Sequence, residues 1–251
     1  MEDKKISSNQ LYDRQIQEDG EEAQQSIQKS KVMIWGIETA SSELVKNLAL
    51  IGFGLVLVDD RKAVKERVMD NPLTTELDAD KNKTMAQLIK EKLNDINPTI
   101  SIEIKTEGEA AFASAEMMAL ISSAPYSEQL KRRELLGLSK VFLFFIVGNT
   151  FQKLALCEHK SRKTLSQFDS FANIAKKINE VFLLDIDESE ETESFVGDFH
   201  LKCIFGAALT QILIQIAITC NFEDDLLLHA QNMFTINPNN TYVFTTLNIH
   251  D

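Results

Sequence analysis

Residues 31–60 read KVMIWGIETASSELVKNLALIGFGLVLVDD, and the fold turns on how this stretch is parsed. Residues 31–35 are a short apolar run that ends at Gly36. Apolar positions then return at Leu44, Val45, Leu48, Ala49 and Ile51, the spacing of one buried helix face. Gly52 and Gly54 stop that helix, and residues 55–58 form a second apolar run ending on Asp59 and Asp60. Strand, turn, helix and strand make a βαβ unit, whose crossover requires parallel strands.

A dinucleotide-binding loop would place glycines at positions 36, 38 and 41, letting backbone N–H groups approach a pyrophosphate at the helix N-terminus. The chain has Gly36, Glu38 and Ser41, so only the glycine of the tight turn remains. A carboxylate about 4 Å from a phosphate charge costs roughly 4 kcal/mol at a surface-like dielectric. The helix dipole returns only about 0.3–1 kcal/mol. Unless Glu38 points away, repulsion wins, and the unit reads as a nucleotide-binding scaffold that has lost its own nucleotide.

With 251 residues, 44% of them hydrophobic and 25% charged, the chain is globular and can bury one large core or two small ones. A net charge of −12 argues against nucleic acid or an anionic membrane as partner. Cys157, Cys203 and Cys220 are widely spaced thiols without a CxxC pair, which suits a reducing compartment. His159, His200, His229 and His250 lack zinc-ligand spacing, so no metal site is expected. The first ten residues, MEDKKISSNQ, have no apolar signal-peptide core and read as a disordered tail. Residues 203–222 carry no charge. Their Gly206, Thr210, Gln211, Gln215, Thr219 and Asn221 favour a buried helix over a membrane span.

Around the βαβ unit, residues 11–29 predict a polar helix broken near Gly20, and 61–83 a charged irregular connection. Residues 84–94 have helical spacing, 100–104 alternate as a strand, 117–121 form an apolar run, 128–136 a short helix and 141–147 a buried strand. Residues 151–157 are a candidate further strand, and apolar positions from Phe168 to Phe182 give a helical stripe. Residues 185–193 hold six acids, the mark of a solvated loop. A long apolar helix over 199–219 and a closing hairpin, 234–236 with 242–246 around NPNN, complete the chain. The fold class is therefore α/β: Rossmann-like, with a mostly parallel central sheet flanked by helices.

These pieces resemble the small, non-catalytic subunit of a ubiquitin-like-protein activating enzyme, most like that of the SUMO-activating enzyme, with its ThiF/MoeB-like adenylation fold. The resemblance rests on YDRQI at 12–16, SSELVKNLALIGFG at 41–54 with Asp59 at the strand end, KNKTMAQLIKEKLNDINPTI at 81–100 and IFGAALTQI at 204–212. It covers residues 10–105 and 199–247 and is weak between. It implies a single pseudo-adenylation domain over 11–251, with a variable acidic loop around 185–198.

Active members of this superfamily adenylate the C-terminal carboxylate of a ubiquitin-like protein, and here their pattern is broken. Asn71 is followed three residues on by Thr74 in place of the phosphate-binding arginine. Asp80 replaces a glycine, and the metal-binding aspartate falls near Ala124, with no aspartate between Asp95 and Asp169. Phosphoryl chemistry needs cations and a carboxylate-held magnesium. The resemblance therefore implies that this chain binds no cofactor, leaving Asp59 and Lys83 as vestigial nucleotide contacts.

ATP and Mg would be held by a larger catalytic subunit of a heterodimer, with the modifier engaged indirectly and the complex in nucleus or cytoplasm. Arg14 is the one residue expected to act, reaching across the dimer to the partner's ATP; the plain alternative pairs it with Asp13 or Glu18. Gly206, Gln211, Leu213, Gln215 and Ile216 of the late helix are the expected interface residues. A Nedd-type activating subunit, an NAD(P)-binding Rossmann oxidoreductase and a homodimeric ThiF-like adenylyltransferase stay open. The first usually carries a large insertion, the second lacks its glycines and a Tyr-x-x-x-Lys pair, and the third lacks its arginine and aspartate.

Overall fold

The βαβ unit forms as its pattern dictates. β1 (Lys31–Trp35), α3 (Thr39–Ile51) and β2 (Gly54–Asp59) follow one another, and β2 pairs parallel to β1 from Lys31↔Gly54 to Trp35↔Val58. The computed structural model describes residues 11–37, 39–59, 71–78, 82–106, 108–109, 118–122, 131–132, 141–146, 154–159, 231–236, 242–247 and ten helical positions between 203 and 218. The expected tail at 1–10, the stripe from 168 to 182 and the acidic loop at 185–198 lie outside the described residues.

Two helices precede the unit, α1 (Asp13–Asp19) and α2 (Glu21–Lys29), broken at Gly20 as expected. After it come α4 (Met85–Ile96), β3 (Ile102–Thr106), β4 (Ala119–Ser122), β5 (Val141–Ile146) and β6 (Leu154–His159). The strands make one six-stranded sheet in the order β3-β2-β1-β4-β5-β6, parallel throughout except for β6, which runs antiparallel to β5. β7 (Gln231–Ile236) and β8 (Tyr242–Leu247) form the closing hairpin.

Both faces of the central strands are dry. Val32, Ile34, Leu55 and Leu57 pack with Leu44, Val45 and Leu48 of α3 and Ile89 and Leu93 of α4 in one cluster. Met33, Trp35, Val56 and Val58, which point to the other face, are also buried. This is why the strands are continuous apolar runs and not alternating ones. Leu209, Leu213 and Ala217 of the late helix join the first cluster. Among the described residues no helix is long and apolar enough to cross a membrane.

β3 ends the sheet, and its outer residues are charged. Lys31 reaches Glu103 at 3.3 Å across Gly54, where an added Cβ would stand 3.1 Å from the Lys31 stem. Lys105 adds a second contact at 3.6 Å. The Lys31 hydrogen bond, only partly opposed by burial, holds the Glu103 carboxyl below the usual carboxylate range.

Candidate functional site

In an open, doubly wound sheet a ligand crevice lies beyond the carboxyl ends of the strands where the strand order reverses. Here that point falls between β1 and β4. β1 leaves the sheet through Gly36, whose φ of 106° gives the tight turn a side chain would oppose. Ser41, in the first turns of α3, is buried, and its hydroxyl donates back to the Gly36 carbonyl at 2.8 Å. A serine thus closes the loop on itself at the position where a third glycine would open it. Glu38 lies outside the described residues.

Next to this loop Asn71 is 5% exposed and its amide is fully engaged. Its Nδ2 donates to the Ser42 hydroxyl, and its Oδ1 accepts from the backbone N–H of Leu73 at 3.0 Å. Thr74 does not extend outward: its N–H and hydroxyl both donate to the Asn71 carbonyl, at 3.2 and 3.3 Å. This is a turn that fastens the connection to α3.

The two vestigial contacts read from the sequence are held by other groups. Asp59 accepts a hydrogen bond at 3.0 Å from Thr84, the N-cap of α4. Lys83 donates to both carboxylate oxygens of Glu91 at 2.6 Å, one helix turn and more away on the surface of α4. A group absent from the sequence reading stands at the switch point itself. Arg132 lies with its guanidinium 4.6 Å from the Trp35 ring centroid, and its Nη1 donates to the Trp35 carbonyl at 3.1 Å. No sequence signal connects two residues so far apart; the contact joins the end of β1 to the segment between β4 and β5.

Arg14 is elsewhere. It is exposed on α1, and among the described residues it has no hydrogen-bond or ion-pair partner. Asp13 instead accepts from Gln17 at 3.0 Å. The residue before the helix, Tyr12, is buried against Gly52 at the amino end of β2. Asp59 and the crevice are at its carboxyl end, about 17 Å along the strand at about 3.3 Å per residue.

The late helix requires a correction. Leu213 is 0% exposed and sits in the core with Leu209 and Ala217, so it has no surface left to offer a partner. Gly206 is buried too, its carbonyl accepting from Thr210 at 3.0 Å. Gln211 is exposed. Gln215 and Ile216 lie outside the described residues. Among the described residues no cluster of three or more His, Cys, Asp or Glu could hold a metal ion.

Residues 12–124 match the ThiF family model. The chain is 25% identical over 192 residues to the DNA damage tolerance protein rad31 of Schizosaccharomyces pombe, covering 75% of this chain and 62% of that one. It is 36% identical over 100 residues to SUMO-activating enzyme subunit 1A of Arabidopsis thaliana, covering 38% of this chain and 30% of that one. It is 32% identical over 97 residues to the Homo sapiens SUMO-activating enzyme subunit 1, covering 38% and 28%. The chain thus spans less than two thirds of the length of these relatives. Among solved structures, PaaA superposes with a TM-score of 0.66 at 15% identity, over 97% of this chain and 84% of that one. Escherichia coli MccB crystallised with ATP gives 0.62 at 16% identity, over 96% and 72%. These likenesses show the fold. The chain is a Rossmann-like α/β protein, and its residues 12–124 are similar to the ThiF family.

Proposed function

We propose that this chain is the non-catalytic subunit of a heterodimeric activating enzyme for a ubiquitin-like modifier of the SUMO class. It lends Arg14 to an ATP site held, with its magnesium, by a larger partner. The observation that carries this reading is Arg14 itself: an exposed cation, its side chain without a partner among the described residues, two residues after Tyr12, which packs on Gly52 just before the amino end of β2. A cation so placed is available to another molecule's phosphates, and arginine is the side chain suited to them.

The crevice supports the same division of labour. Ser41, Asn71, Asp59 and Lys83 are bonded to neighbours of their own chain, and a triphosphate would have to break those bonds without recovering an equivalent set. These internal bonds among the described residues support a crevice without Mg-ATP of its own, and no step is assigned to it. The similarity to SUMO-activating subunits favours the modifier class, and a complex of this kind would work in the nucleus or cytoplasm.

The test is ATP–pyrophosphate exchange by the reconstituted heterodimer at saturating modifier. Arg14→Ala should leave pairing intact and slow exchange by about tenfold to hundredfold, less than the roughly 10³-fold or larger effects of a lone arginine finger because the partner's own groups share the charge. Arg14→Lys should recover part, keeping the charge but not the bidentate fork. Asp13→Ala is the control, since it touches only the Gln17 contact. Wild-type exchange by the Arg14→Ala complex would leave this chain a structural subunit only.

A further inference from the structure

We propose that Tyr12, Gly52 and Asn97 form a lock that positions Arg14, an inference that rests on the trans-arginine reading above. α1 has no buried residue of its own, so its placement depends on what lies at its ends. Tyr12, its N-cap residue, is 3% exposed. The Tyr12 hydroxyl accepts a hydrogen bond of 2.7 Å from Asn97 Nδ2, and the same nitrogen donates at 2.7 Å to the carbonyl of Ala49. Asn97 is the C-cap residue of α4 and 1% exposed, and its Oδ1 accepts from the N–H and hydroxyl of Thr99 at 3.1 and 2.7 Å. One buried amide therefore ties Tyr12 to the ends of both α3 and α4.

Gly52 makes the seat. Its φ is +104°, and a Cβ there would stand 2.8 Å from the Tyr12 hydroxyl oxygen and 2.9 Å from Cζ. Only glycine gives both the turn and the room for the ring. A second strap lies one helix further on, where Gln24 donates to the Ile51 carbonyl at 2.9 Å. From the lock to Arg14 the path has no loose joint. The Tyr12 carbonyl accepts from the Ile16 N–H at 2.9 Å, so Arg14 stands in the first closed turn of α1. A buried hydroxyl also asks for a partner that an apolar ring would not, so the lock has one seated arrangement. Tyr12 is thus a positioning residue: it aims an arginine two residues away and touches no reacting atom.

The experiment uses the reconstituted heterodimer with Tyr12→Phe, Gly52→Ala and the double variant Tyr12→Phe/Arg14→Ala. Tyr12→Phe keeps the ring and leaves one Asn97 N–H unpaired. It should slow ATP–pyrophosphate exchange by about threefold to tenfold, the rate equivalent of one neutral hydrogen bond, with KM for modifier and subunit pairing unchanged. Gly52→Ala, which displaces the ring from the other side, should do at least as much. In the Arg14→Ala background Tyr12→Phe should add nothing, because the two residues act as one unit. Hydrogen exchange of the α1 amides, read by mass spectrometry, gives a measure independent of activity. It should rise in both single variants while β1 and β2 stay protected.

Unchanged α1 protection would overturn the lock. Loosened α1 with wild-type exchange, while Arg14→Ala remains slow, would overturn the positioning role and leave the trans-arginine reading standing. Full additivity in the double variant would make Tyr12 an ordinary core residue. A silent Arg14→Ala would instead overturn the reading on which this inference rests, and the inference with it.

Discussion

Leu213 sits with none of its surface exposed, among side chains that belong to the βαβ unit. Truncating such a residue removes its transfer energy and leaves a cavity that the surroundings only partly fill. Leu213→Ala should therefore cost about 2–5 kcal/mol, seen as a lower urea midpoint at unchanged slope. A loss below about 1 kcal/mol would mean that the late helix is not seated as described. The sequence could not separate this from an interface role. Twenty residues without charge look the same whether the helix is covered by its own sheet or by another subunit. Arg14 is the opposite case: its motif pointed to function, and the structure adds that Asp13 is turned to Gln17 and not to it.

At the level of elements, the βαβ unit was legible because strand and helix periods leave separate marks, and its strands fall within a residue of their expected ends. The helix expected at 84–94 begins one residue later and runs to Ile96. Its start was encoded more fully than hydrophobic spacing shows. Thr84 and Gln87 form a capping box: the Gln87 N–H donates to the Thr84 hydroxyl at 3.4 Å, and the Thr84 N–H to Gln87 Oε1 at 3.0 Å. The same hydroxyl donates to Asp59, so one side chain closes α4 and satisfies the end of β2. Thr84→Ala should cost about 1 kcal/mol, within the roughly 0.5–2 range of lost caps, and Thr84→Ser should restore most of it in the same denaturant titration. If Thr84→Ala is neutral, the cap and the Asp59 contact are not holding this corner. The Trp35–Arg132 contact and the Tyr12–Asn97 bond were not legible, since both join residues that only the finished topology brings together.

The molecule as a whole combines a Rossmann-like architecture with a crevice whose described polar groups Ser41, Asn71 and Asp59 are bonded to neighbours in the chain. Calorimetry of the isolated chain with Mg-ATP should show no heat of binding up to millimolar nucleotide, where dissociation constants of about 1 mM correspond to roughly −4 kcal/mol. A micromolar constant would return Asp59 and Lys83 to service as ligands and remove the pseudo-site reading. The sheet also settles how such a chain can avoid sticking to its own copies. Strand addition needs an edge whose backbone groups can be stripped of water cheaply, and β3 at the end of the sheet is a natural template for it. Any strand laid along β3 would have to desolvate Lys31, Glu103 and Lys105 together, with Glu103 keeping its charge further into acid than an ordinary glutamate. That guarded margin disfavours edge-to-edge association, and it directs contact toward faces where side chains, not backbone, do the recognising.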